Sequence, residues 1–224
     1  HEAVRKLRRL EKDGIPFLPD EDLLMPMMTF APAEIKKTVE WLASRRKDAD
    51  ASLIALAPGC KTSANAWPVE SFIEIGSRLM AAKKCEIIVV GGEAEREMGD
   101  RMVERWGSGI NSAGDFSVRE SGALLSRCDI YIGLDTGTTH LAAVAGTRCF
   151  AIYGERNNPG HWFPLGNGHA VLFHPVKCAG CRLQDCPIPD HPCMTGITID
   201  AVWHNLQEFL KRNPADSETR IISV

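Results

Sequence analysis

Residues 135–140 read Asp135-Thr136-Gly137-Thr138-Thr139-His140. If a helix starts there, three hydroxyls, a glycine and an imidazole share one turn. A helix start leaves N–H groups without partners and carries the positive end of the helix dipole, so it favours an anion. Gly137 would let the backbone approach that anion closely, and His140 would add a donor. A plain helix cap at Asp135 accounts for one residue and leaves the others without a task. A second cluster is Ala57-Pro58-Gly59-Cys60-Lys61-Thr62-Ser63. It brings together a glycine turn, an ammonium and two hydroxyls, the groups that a diphosphate needs. A polar loop without a ligand is the other reading.

Gly91-Gly92-Glu93 presents a carboxylate that can accept from ribose hydroxyls or cap the next helix as a first-turn acid, and the two roles can coexist. The stretch from Gly154 through Glu155, Arg156, Asn157 and Asn158 to Trp162, Phe163 and Pro164 mixes charged, amide and aromatic groups. Polar groups suit the hydroxyls of a sugar and an aromatic face suits its C–H side; the alternative is an exposed loop pinned by Trp162 and Pro164. Cys178, Cys181, Cys186 and Cys193 are bunched closely enough to hold a structural zinc ion. They contain only one Cys-x-x-Cys pair, however, so buried thiols or disulfides are preferred. The cluster lies outside the four loops above, and a structural role is expected for it, with no metal at the functional site.

These loops need a scaffold. Short apolar runs at 52–57, 86–91, 128–133 and 149–154 alternate with helical patterns, the signature of βα units and a parallel sheet. A further strand is expected at 170–174 and a last helix at about 199–211 carrying Val202, Leu206 and Leu210. Ser117 and Glu120 fit a capping box. A helix from Pro32 to about Arg46 carries the stripe Ile35, Val39 and Leu42. An earlier helix over 1–12 is stopped by Gly14-Ile15-Pro16, and a connector follows it. In such a sheet, ligands bind at the carboxyl ends of the strands, which is where the four loops fall.

The chain has 224 residues, 44% of them hydrophobic, with 26 basic and 29 acidic side chains and a net charge of -3. It can bury one full core, and it offers no broad cationic surface for nucleic acid. No apolar stretch is long enough to cross a bilayer, and the charged N-terminus is unlike a signal peptide. A cytoplasmic location is expected, where the eight cysteines are thiols or metal ligands. No GxGxxG follows any strand, which leaves an oxidoreductase with a dinucleotide site little support.

With its motifs in this order, Ala57-Pro58-Gly59 before Trp67-Pro68, Gly91-Gly92-Glu93, Asp135 to Gly146, Tyr153 to Pro164, and the late cysteines before a final helix, the chain resembles the C-terminal domain of glycosyltransferase family 9. That group includes the lipopolysaccharide core heptosyltransferases. The resemblance covers roughly residues 52–212 and implies an α/β, Rossmann-like parallel sheet with flanking helices, the C-terminal half of a GT-B glycosyltransferase. It implies that residues 1–51 are the end of an N-terminal acceptor domain and its connector, 52–212 the nucleotide-sugar-binding domain and 213–224 a C-terminal tail. Thr136, Gly137 and His140 would contact the diphosphate, Glu93 the ribose, and Asp135 the sugar or the phosphate-binding turn. Lys61 and Thr62 complete the set. The catalytic base would come from the N-terminal half, no cofactor is required, and the partners are an ADP-heptose-like donor and a lipopolysaccharide-core or other glycan acceptor. One departure stands out: the family often has Lys-Arg before Trp-Pro, where this chain has Asn65-Ala66. Lys61 would then supply the phosphate cation, and a non-catalytic nucleotide-sugar-binding module is the alternative function.

Overall fold

The computed structural model describes residues 2–12, 27–213 and 218–224. Its strands are β1 (Ser52–Ala57), β2 (Cys85–Val89), β3 (Ile110–Asn111), β4 (Ile130–Leu134), β5 (Arg148–Tyr153), β6 (Ala170–Phe173) and β7 (Arg220–Ser223). All pair in parallel, in the order β3-β2-β1-β4-β5-β6-β7. The helices are α1 (Glu2–Lys12), α2 (Pro32–Ala43), α3 (Val69–Ala82), α4 (Arg96–Trp106), α5 (Val118–Leu125), α6 (Gly137–Val144), α7 (Pro192–Thr195) and α8 (Ile199–Lys211).

Both faces of the sheet are covered, which is why its strands read as continuous apolar runs. Alternate residues Ile54, Leu56, Ile130, Ile132 and Phe150 share one core with Phe72, Ile75 and Leu79 of α3 and with Val202, Leu206 and Phe209 of α8. Leu53, Ala55, Tyr131 and Cys149 share the opposite core with Leu42 of α2, Leu124 and Leu125 of α5, and Ala142 and Ala143 of α6. The small residues of α6 let it lie close to the sheet, so its first turn stands directly beyond the end of β4.

The Ser117–Glu120 capping box forms as read: the Glu120 N–H donates to Ser117 Oγ at 3.3 Å, and the Ser117 N–H donates to Glu120 Oε2 at 2.8 Å. Three features differ from the sequence reading. The helix at 32 ends at Ala43, short of Arg46, whose guanidinium instead reaches Glu86 at 2.8 Å. Of the stripe on α2, Leu42 is buried, but Ile35 and Val39 stay 41% and 38% exposed. Docking on α5 is shared with the ion pairs Lys37–Glu120 and Arg119–Glu34. Two edge strands have no apolar run to announce them. β3 has two residues, and β7 falls inside the stretch read as a tail, where the Arg220 N–H bonds to His169 O at 2.9 Å. Pairing with a formed neighbour makes these strands. The stop at Gly14-Ile15-Pro16 and most of the connector lie outside the described residues.

Candidate functional site

From β1 the chain builds outward to β2 and β3, and from β4 it builds the other way to β7. The loops leaving β1 and β4 therefore diverge, and a crevice opens between them at the carboxyl ends of the strands. A cavity of about 530 Å³ occupies it. One wall is Gly59, Cys60, Lys61, Thr62 and Asn65; the facing wall is Asp135, Thr136, Gly137 and Thr138 at the start of α6. Gly91, Gly92 and Glu95 close one end beside Val90, Phe116, Val118 and Leu141.

Local packing fixes these groups. Glu95 sits in a short 3-10 turn and accepts from the Gly92 N–H at 2.7 Å. A Cβ on Gly59 or Gly91 would come within 2.3 or 2.7 Å of the Glu95 side chain, so those glycines make room for it. Under α6, Tyr131 OH donates to Thr138 Oγ1 at 3.1 Å, and Thr136 Oγ1 and Thr138 Oγ1 are 2.7 Å apart. Burial pushes the Tyr131 phenol up to about 12, so it stays a neutral donor. A Cβ on Gly137 would meet nothing within 4 Å. The first-turn N–H groups of Gly137 and Thr138 have no acceptor within the helix and border this open space.

Lys61, Thr62, Asp135, Thr136 and Gly137 are thus brought together on one cavity. Glu93 and His140 are not among its lining residues. Glu93 is spent on Arg96, at 3.0 and 3.2 Å, with its side chain 75% exposed; Glu95 takes the place at the cavity. His140 lies at the far side of its turn with its ring 6.2 Å from Trp162, and burial lowers its pKa and keeps the imidazole neutral. Thr139, one of the three hydroxyls counted on this turn in the sequence, is fully buried and donates to Leu134 O at 2.5 Å. The sequence reading missed Glu95, the apolar end at Phe116 and Val118, and Asn65 as a lining residue. Two carboxylates two residues apart give no clue which is turned inward, whereas Asn65 was visible as a departure at the family's lysine position.

The cysteine-rich loop lies nearer the strand ends than its place in the sequence suggested. Cys178, Cys181, Cys186 and Cys193 border one small cavity of about 40 Å³ beside Glu155, Arg156 and His191. All four are free thiols. Among the described residues, no three His, Cys, Asp or Glu side chains gather as a metal site. The loop straps both neighbouring strand-end loops. Ala64 N–H donates to Gln184 O at 3.0 Å, Ser63 Oγ to Asp185 Oδ1 at 2.5 Å and Gly180 N–H to Glu155 O at 2.7 Å, while Arg156 Nε donates to Leu183 O at 2.8 Å.

Residues 22–191 match the family model of glycosyltransferase family 9 (heptosyltransferase). A lipooligosaccharide heptosyltransferase 2 of Campylobacter jejuni is 26% identical over 168 residues, 72% of this chain and 52% of that protein. The chain spans about half the length of the curated relatives it matches. A family 9 glycosyl transferase of Veillonella parvula superposes with a TM-score of 0.79 at 20% identity, covering 94% of this chain and 60% of the other. The E. coli ADP-heptose lps heptosyltransferase II superposes with a TM-score of 0.63 at 19% identity, covering 83% and 53%. At these identities the two structures establish a shared fold. Among the described residues no helix is long and apolar enough to cross a membrane.

Proposed function

This chain belongs to glycosyltransferase family 9, and from that premise we propose that it is the donor-binding half of a glycosyltransferase, with its nucleotide sugar in the cavity between the ends of β1 and β4. The observation that carries the reading is that Lys61, which borders the cavity, stands on the wall facing the amides and hydroxyls that open α6. A diphosphate between them would meet an ammonium on one side and a helix start on the other. Glu95 is positioned for ribose hydroxyls, and Val90, Phe116, Val118 and Leu141 offer an apolar slot for the base. Asp135 and the loop after β5 are left for the sugar.

The reaction we assign is attack of an acceptor hydroxyl on the anomeric carbon as the nucleoside diphosphate leaves, its growing charge held at the α6 start. The base would come from an N-terminal acceptor half, and residues 1–51 are assigned to the end of that half and the connector. The proposed donor is ADP-heptose, which the E. coli neighbour's name carries, and the acceptor is lipopolysaccharide core or a related glycan. We place the reaction in the cytoplasm, in keeping with eight unpaired thiols. A second reading, donor binding without transfer, draws on Asn65 standing where the family often has a lysine. Calorimetric titration with ADP, GDP and UDP tests the first step: ADP should bind, and failure of all three to bind would remove the site. Acceptor-dependent turnover with the acceptor half joined to this chain separates transfer from mere binding.

A further inference from the structure

Asp135 borders two spaces at once, the donor cleft and a smaller cavity under Tyr153, Asn157 and Trp162. Among the described residues, the hydrogen bonds that reach its carboxylate arrive at the same oxygen. Asn157 Nδ2 donates to Oδ2 at 3.1 Å, and Asn65 Nδ2 donates to Oδ2 and to the Asp135 carbonyl, both at 3.4 Å. Asn65 is 4% exposed, and its own Oδ1 is buried without a partner. An orphaned buried acceptor is costly. Turning the amide over would set Oδ1 against the Asp135 carbonyl and carboxylate oxygens, acceptor facing acceptor. The residue therefore keeps an unmet acceptor in order to present its donor to Asp135.

We propose that Asn65 and Asn157 are positioning residues that grip the Asp135 carboxylate by one oxygen and leave the other aimed at a hydroxyl of the donor sugar, so that the three residues select the sugar. The inference rests on the donor-site reading above and adds to it: the family's lysine position has been turned from the phosphates to the sugar end. The charged groups facing Asp135 are Lys61 and Glu95 across the cleft and Glu155 and Arg156 in the loop after β5. The Cys60 thiol and the Tyr153 phenol face it too, and burial raises both, so they stay neutral. Burial also raises the Asp135 carboxyl, against Asn157, the Arg156 charge and Asn65, which lower it. An ionised Asp135 is the better acceptor, so its contribution is present above its pKa and is lost as pH falls through it. Weakening either amide moves that loss to higher pH.

The test is calorimetric titration of the chain with ADP-heptose and with ADP between about pH 4.5 and 8, read as the ratio of the two dissociation constants. The wild type should favour ADP-heptose near neutrality by about tenfold and lose that preference at low pH. Asn157→Asp adds a like charge beside Asp135 and should move the midpoint up by about one pH unit. Asn65→Leu keeps the branched outline, removes the donor to Asp135 together with the orphaned acceptor, and should cut the ratio about tenfold at neutral pH. Both variants folded, with the wild-type ratio and midpoint, would overturn the positioning role. ADP binding with no preference for ADP-heptose at any pH would overturn this inference alone. A wild type that binds neither ligand would overturn the donor site and this inference with it.

Discussion

The substitution Gly137→Val isolates the start of α6 from everything else in the cleft. A Cβ built on Gly137 finds no protein atom within 4 Å, and Gly137 lines the cavity proposed for the diphosphate, so the added side chain should crowd the ligand more than the protein. Gly→Val inside a helix also gains a few tenths of a kcal/mol in propensity, and Tm should hold within about 2 °C or rise. The cost falls on binding. Two charge-assisted hydrogen bonds from the Gly137 and Thr138 N–H groups contribute about 1.5–3 kcal/mol each, so losing both weakens ADP by about 3 kcal/mol or more, at least about 100-fold. Calorimetry on a variant whose melting curve matches the wild type measures this directly. Gly154→Ala is the contrast, because its Cβ would meet Met194 Sδ at 2.8 Å and Ala64 O at 3.1 Å, and about 1–3 kcal/mol of stability should go. A folded Gly137→Val protein that binds ADP within about threefold of the wild type would refute the anion site at α6.

Lys61→Met should weaken ADP about tenfold and flatten the salt dependence of binding, since an exposed ammonium acts through a screened field; an unchanged salt slope would count against Lys61. Glu95→Gln should weaken ADP about tenfold while Glu93→Gln leaves it unaltered, and calorimetry showing the reverse would restore the residue first read from the sequence. Tyr131→Phe removes a buried hydroxyl bonded to Thr138 and Thr139 and should cost about 1–2 kcal/mol of stability in urea unfolding. The 224 residues alone should bind donor yet give no acceptor-dependent sugar transfer. Turnover in a product assay would send the search for a base to Asp115, Asp135 and Glu155.

The apolar runs of β1, β2, β4, β5 and β6 were legible because both faces of the sheet are covered and each strand carries its own signal. The glycine, hydroxyl and cation clusters were legible because local chemistry marks a helix start or a turn whatever surrounds it. The family motifs added the order in which those pieces occur. What the sequence left open depends on partners distant along the chain. β3 and β7 are strands because a neighbour offers them an edge, and Ile35 and Val39 stay partly exposed while α2 meets α5 through Leu42 and ion pairs. Glu95 and not Glu93 reaches the cavity because a 3-10 turn seats it between Gly59 and Gly91. Asn65, Asp135 and Asn157 come from three different loops, and only the divergence of β1 from β4, with β5 alongside, brings two amides to one carboxylate oxygen. Periodicity and local chemistry belong to the chain, whereas convergence of loops belongs to the sheet that orders them.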